Sequence, residues 1–311
     1  MTRIGSSDLD VRPLSLGTNS FGWTSDEAQS HLVLDAFVDA GGDFLDTADV
    51  YSQWSAGGFG ISETIIGSWF AKNPGKRDAV VLATKVGKGQ GLEGLAPATL
   101  REAVDGSLRR LQTDRVDLYW AHADDETVPV AETLGAFDEL VRAGKVRALG
   151  ASNFSGPRLT ASLETSRREG FASYVAVQNL YNLVERAEYE ADVADVVVAN
   201  GLASIPYAAL ASGFLTGKYR PGGTVDSARQ ASASAYLDTP RGPAVLAALD
   251  DVAAAHDVEP ATVAVAWVAA QEGVVAPIAS ARTPEQLPRL LAAAELELTR
   301  DELSRLDHAS R

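Results

Sequence analysis

A chain of 311 residues with no cysteine and a formal net charge of −15 cannot be a disulfide scaffold, a thiolate metal centre or a cysteine-nucleophile enzyme. A field of that sign repels nucleic-acid phosphates, so an anionic ligand must be held by local basic residues. The amino terminus has no apolar leader, and no run nears the roughly 18 apolar residues of a membrane helix, which points to a cytoplasmic protein with no membrane partner.

Residues 2–12 read as a short hairpin. From residue 14 to residue 294, short apolar runs then alternate with amphipathic stretches of about 11–16 residues, the rhythm of parallel βαβ units. Strands are expected at 14–17, 43–46, 79–84, 116–121, 146–150, 174–178, 203–207 and 274–278. Thr24-Ser25-Asp26-Glu27 reads as a capping box opening a first helix that buries Leu34, Phe37 and Val38, and Gly41-Gly42 stop it. Two helices, about 243–256 and 259–271 and broken at Pro260, separate the seventh and eighth strands. Thr283-Pro284-Glu285-Gln286 opens the helix after the eighth strand, and about 301–308 forms a closing helix. The Ala-, Ser- and Gly-rich stretch 219–243 is either a lid or a segment without fixed structure. No low-complexity linker interrupts the alternation. The fold expected is α/β, a single (β/α)8 TIM barrel over 1–311 with an N-terminal hairpin and a C-terminal closing helix.

An open doubly wound sheet is the rival architecture, and Gly89-Gln90-Gly91-Leu92-Glu93-Gly94 has the spacing of a dinucleotide fingerprint. That motif needs its glycines to open a helix directly and an acid to end the next strand. Here Leu95-Ala96-Pro97 intervenes and Asp114 precedes a strand, so a flexible loop is expected instead.

Barrel active sites are built at the carboxyl ends of the strands. Those positions hold Asp46 with Tyr51 in the following loop, Lys85, His122, Ser152-Asn153, Gln178, Tyr207, and Ser280 with Arg282. One at a time they are ordinary: a capping acid, a snorkelling lysine, a core histidine, a buried tyrosine. Together at adjacent strand ends they make chemical sense. Carbonyl reduction needs a hydride donor and an acid, and Tyr51 can supply the proton. A lysine ammonium about 4 Å away favours the phenolate by as much as ~4 kcal/mol at an effective dielectric near 20, so Lys85 is expected to lower the pKa of Tyr51. Asp46 would hold Lys85 in place, and a neutral His122 would orient the carbonyl. The remaining histidines, His31, His256 and His308, fall in helices and read as structural.

Asp46–Tyr51, Ala83–Lys85 and Asp117–His122 resemble the catalytic motifs of aldo-keto reductases. The resemblance continues through Gly144–Phe154, Gln178–Asn182 and Ser212–Tyr219, nearly the whole chain. It implies an NADPH-dependent reductase acting on a small-molecule carbonyl substrate. By the same likeness Ser152, Asn153 and Gln178 hold the nicotinamide carboxamide, Tyr207 stacks on its ring, and Leu210, Ser212 and Lys218 line the pyrophosphate. Ser280, Arg282 and Gln286 fall to the adenosine end. Arg282 also stands just before a helix start, where a guanidinium fork suits a 2′-phosphate. Two departures stand out: Leu290 replaces a frequent asparagine near adenine, and Ala208-Ala209 replace a frequent Ser-Pro. Trp23 and Trp54 are candidates to wall a substrate pocket, whereas Trp120 shares parity with His122 and is expected in the core. Oligomeric state is not written in these motifs.

Three rivals are weaker. A non-catalytic nucleotide sensor, like the channel-associated β subunits with this barrel, would need a partner surface or an added segment, whereas this chain begins at once with the hairpin. A glycosidase needs two facing carboxylates, for which Asp46 and Glu63 are the available pair. A metal-dependent hydrolase would want clustered histidines and acids, and only His122 is at a strand end.

Overall fold

The computed structural model describes residues 1–55 and 58–311. Two short strands, β1 (Thr2–Arg3) and β2 (Asp10–Val11), pair antiparallel as the expected hairpin. Eight strands then form one parallel sheet: β3 (Ser15–Gly17), β4 (Phe44–Asp46), β5 (Val81–Val86), β8 (Val116–Ala121), β9 (Val146–Ser152), β10 (Tyr174–Gln178), β11 (Ala203–Ser204) and β12 (Ile278–Ala279). Their order is β11-β10-β9-β8-β5-β4-β3-β12. The sheet curls until its edges meet. Ser204 bridges Val274 in parallel, Val275 N–H donates to Ser204 O at 2.9 Å, and Ile278 N–H donates to Pro206 O at 2.8 Å. Every residue of β8 is buried, the continuous apolar run expected of a parallel strand covered on both faces.

Helices α1 (Glu27–Asp39), α2 (Ile61–Lys72), α3 (Pro97–Leu111), α4 (Val130–Arg142) and α5 (Gly156–Glu169) pack against one another in chain order around the sheet. A π-helical turn, Tyr189–Val193, leads into α6 (Ala194–Ala199). After β11 come α7 (Gln230–Ser234), α8 (Arg241–His256) and α9 (Pro260–Ala269); α10 (Leu287–Leu291) and α11 (Arg300–Ser310) complete the chain. Among the described residues no helix is long and apolar enough to cross a membrane.

The interior holds its own apolar layer of Phe44, Ala83, Leu118, Trp120, Ala148, Ala176, Ala203, Ala276 and Ile278. Most are alanine because one large ring fills the space. A Cβ on Gly150 would stand 2.2 Å from Trp120, so the glycine makes room for the indole and Trp120 is the core residue its parity implies. Ile4, Leu9 and Val11 of the hairpin join this layer at the amino ends of the strands.

Several element boundaries differ from expectation for local reasons. β5 starts at Val81 because Arg77–Ala79 is a 3-10 turn; Arg77 is tied by its guanidinium to Asp117 and Arg115 O, both at 2.8 Å. Pro206 and Pro277 lack the N–H a ladder needs, which trims β11 to two residues and delays β12 to Ile278. The cap of α1 is Asp26 alone, accepting from Gln29 N–H at 2.8 Å, and Val33 rather than Val38 is fully buried. Thr283 makes no side-chain cap; Pro284–Gln286 is a 3-10 turn ahead of α10. A capping box does occur at α11, between Thr299 and Glu302. The 219–243 stretch contains α7 followed by a 3-10 turn, Ala235–Asp238. The Gly89–Gly94 segment is not a loose loop but part of a small antiparallel hairpin, β6 (Lys88–Gly89) with β7 (Leu92–Glu93).

Candidate active site

A cleft of about 980 Å³ opens at the carboxyl ends of the strands and runs from Asp46, Tyr51 and His122 to Arg282, Gln286 and Leu290. Its floor is set by register. Asp46 ends β4, and Lys85 lies inside the adjacent β5 rather than after it. The Lys85 ammonium donates to Asp46 Oδ1, to Thr47 O at 2.7 Å and to Tyr51 OH at 2.9 Å. All three of its protons are therefore used inside the protein. Gln178 Nε2 donates to the other Asp46 oxygen at 2.9 Å.

Burial by itself would lower the pKa of Lys85, but Asp46 and Tyr51 outweigh it and hold the ammonium above its ordinary value. Burial likewise leads at Tyr51 and pushes its phenol up. Lys85 pulls it back, Asp46 opposes Lys85, and the net direction is upward. The expected lowering of Tyr51 is thus overturned: the ammonium moderates a desolvation cost that the sequence could not weigh. His122 follows β8, and its ring meets Tyr51 edge to face at 6.3 Å. Burial first, then the charges of Lys85 and Lys88, hold His122 well below the usual imidazole value, so the ring is neutral at pH 7.

The neighbouring positions are brought together as expected. Asn153, in left-handed backbone, donates from Nδ2 to His122 O at 2.9 Å and to Ser152 Oγ at 3.0 Å, and accepts from Tyr207 OH at 2.9 Å. Leu210, Ser212 and Lys218 line the middle of the cleft. There Ala208, Ala211 and Ser212 all adopt positive φ, a costly run for non-glycine residues of the kind that gathers at ligand clamps. At the far end Ser280 Oγ and Asn19 Oδ1 are 3.1 Å apart, Gln286 accepts from Arg282 N–H at 2.9 Å, and Leu290 is buried.

Three participants were not expected from the sequence: Arg229, Asn19 and Lys88. Arg229 reaches back from the stretch after β11 to Asn19 Oδ1 at 3.2 Å and lines the cleft opposite Arg282. Asn19 thereby ties that stretch to the end of β12. Lys88 lines the catalytic end. A polar residue two places after a strand, as Asn19 is after β3, was the available hint; Arg229 sits in an aperiodic stretch that offers none. Trp23 and Trp54 border the cleft rather than line it. Their rings meet edge to face at 5.8 Å, and Arg229 lies over Trp23 at 5.4 Å, so those surfaces are spent on each other.

Behind the site, Glu63 is fully buried and held by Thr84 Oγ1 at 2.6 Å and Arg110 Nε at 2.7 Å. It does not line the cleft, so Asp46 and Glu63 are not the facing pair that a glycosidase needs. Asp49 is buried beside it with no hydrogen-bonded side chain on either carboxyl oxygen. Burial and the neighbouring Glu63 push its pKa up to about 8.

A family model described as the Aldo/keto reductase family matches residues 13–311. The chain belongs to this family. Among similar proteins, an uncharacterized oxidoreductase YrpG of Bacillus subtilis is 35% identical over 98% of this chain and 94% of that protein. Protein tas of Escherichia coli is 32% identical over 98% of this chain and 96% of its own length. Norsolorinic acid reductase B of Aspergillus parasiticus is 30% identical over 98% and 82%. An aldo/keto reductase is an oxidoreductase acting on small carbonyl compounds with a nicotinamide cofactor, and the parallel sheet and helices found here are consistent with its barrel.

Proposed function

We propose that this protein is a cytoplasmic, single-domain (β/α)8 barrel that reduces an aldehyde or ketone to an alcohol with NADPH. The observation that carries the reading is the Lys85–Tyr51 contact at 2.9 Å, braced by Asp46 and placed beside His122 in a cleft of about 980 Å³.

The residues present fit NADPH. Lys218, Arg229 and Arg282 line the cleft without a carboxylate partner among the described residues, although the chain carries net charge −15. Cations left unpaired in an acidic protein suit a pyrophosphate and a 2′-phosphate. Ser152, Asn153 and Gln178 are the polar groups available to a carboxamide, and Tyr207 offers a ring face. When bound, the cofactor supplies the hydride.

The chain's own groups do the rest. A pKa held above its ordinary value keeps Tyr51 protonated at neutral pH, the form needed to give a proton to the substrate oxygen. Lys85 then stabilises the phenolate left behind, and Asp46 keeps that ammonium aimed at Tyr51. His122, neutral, can donate a ring N–H to the carbonyl without competing for the proton.

The test is NADPH oxidation with a panel of small aldehydes, alongside fluorescence titration with NADPH and NADH. Turnover that stops in Tyr51→Phe while NADPH binding persists supports the assignment. Full reduction by Tyr51→Phe, or tighter binding of NADH than NADPH, overturns it.

A further inference from the structure

The six lysines divide sharply by partner. Lys72, Lys76, Lys85 and Lys145 each meet a carboxylate. Among the described residues Lys88 and Lys218 have none, and both line the cleft. Lys218 is in the cofactor half, near Ser212. Lys88 is at the catalytic end, where its charge acts on His122.

The hairpin that carries Lys88 is built to stay put. The three glycines with the misleading fingerprint spacing do this work. A Cβ on Gly89 would come within 2.5 Å of the Phe59 ring and 3.2 Å of Asp49, so only glycine lets β6 lie this close to the site. Gly91 has φ +78°, making the turn, and Gly94, at φ +80°, packs against Asp125 while its N–H donates to Gly87 O at 2.9 Å. Asp125 also accepts from Leu95 N–H at 2.8 Å, fastening the hairpin's exit.

The nearby acids are engaged elsewhere. Glu93, directly across the ladder from Lys88, accepts instead from Gly91 N–H at 3.1 Å. Asp124 pairs with Arg158 at 2.8 Å, and Asp125 takes Thr127 as well as Leu95. The hairpin thus presents a lysine with no carboxylate in ion-pair contact among the described residues, lining the cleft of a protein whose overall field repels anions.

We infer that the Lys88–Glu93 hairpin is a specificity element, holding Lys88 to take the anionic group of a carboxylate-bearing aldehyde or ketone. The inference rests on the carbonyl reduction proposed above, and it names the substrate class.

The test compares kcat/KM for para-carboxybenzaldehyde and its neutral methyl ester at low salt. The wild-type ratio is expected to favour the acid about tenfold, the worth of one partly solvated charge-assisted contact, and to fall as salt screens it. Lys88→Met brings the ratio near one, Lys88→Glu takes it below one, and Lys72→Met, which removes a charge elsewhere, keeps the wild-type value. A wild-type ratio near one, or one unchanged in Lys88→Met, overturns the inference. A second arm reads tryptophan fluorescence as para-(hydroxymethyl)benzoate and its methyl ester bind the enzyme saturated with NADP+. Preference for the acid that Lys88→Met removes, without turnover of either aldehyde, keeps the anion site and rejects the carbonyl chemistry. Equal binding of acid and ester rejects the anion site whether or not the aldehydes are reduced.

Discussion

The Asp46–Lys85–Tyr51 group and the cations along the rest of the cleft are built on opposite plans. At the catalytic end Asp46 and Lys85 are buried and fully bonded to protein: the carboxylate has Lys85 and Gln178, and the ammonium has Asp46, Thr47 O and Tyr51. Along the rest of the cleft Lys218, Arg229 and Arg282 have no carboxylate partner among the described residues, and the middle of the cleft carries a backbone run held at positive φ. A reacting group gains from being fixed before its substrate arrives, because any residual freedom is a cost in the transition state. An anchoring group gains from being left unsatisfied, because its binding free energy is then released only on the ligand. Lys85 is of the first kind, and Lys218 and Arg282 are of the second.

The sharpest way to break that contrast is to cut the bonded end. Tyr51→Phe should lower kcat/KM for an aldehyde by about 10²–10⁴-fold while NADPH affinity changes little, measured by steady-state turnover and fluorescence titration. Cutting the unsatisfied end should do the reverse. Arg282→Ala is expected to weaken NADPH by roughly tenfold to a hundredfold while NADH is nearly unaffected, by the same titration. Equal losses for both nucleotides would remove Arg282 from the 2′-phosphate.

Asp49 tests the stability behind the bonded end. Its folded pKa, about 8, lies above the ordinary carboxylate value, so the folded state keeps a proton that the unfolded chain releases. Stability should therefore fall as pH rises from about 4 to about 8, at up to roughly 1.4 kcal/mol per pH unit. Asp49→Asn removes that slope, and urea midpoints should show it gaining on the wild type by about 1–4 kcal/mol near pH 7. Parallel pH profiles for the two proteins would deny the buried proton. The smallest expected effect is a flat line. With His122 held below its usual range and Tyr51 above, kcat/KM for reduction should stay level between about pH 6 and 8, where an ordinary histidine would titrate.

Much of the bonded end was legible in the chain. Asp46, Lys85 and His122 stand at or next to the carboxyl ends of strand-like runs and Tyr51 follows at short range, so the strand-end rule for barrels and the motif likeness together aligned them. What failed was anything decided by packing or by distant partners. Prolines 206 and 277 sit within otherwise strand-like runs, and the sheet closes there through single backbone bonds instead of full ladders. The glycines at 89, 91 and 94 fit a familiar spacing, yet what they answer to is Phe59, a tight turn and Asp125. The direction of the Tyr51 shift depends on how deep its hydroxyl lies, and depth has no local code. Arg229 came from a stretch with no periodicity, positioned by a bond to Asn19 some 210 residues away in the chain.

An ammonium whose every hydrogen is already spoken for has a chemical corollary. Acylating and carbamoylating reagents need a free amine lone pair, and Lys85, fully enclosed and held above its ordinary basicity, exposes none. Treatment of the folded protein with such a reagent, followed by peptide mapping, should mark the solvent-facing Lys72 and pass over Lys85 until the chain is unfolded. That silence would be the spectrometric imprint of the triangle it forms with Asp46 and Tyr51.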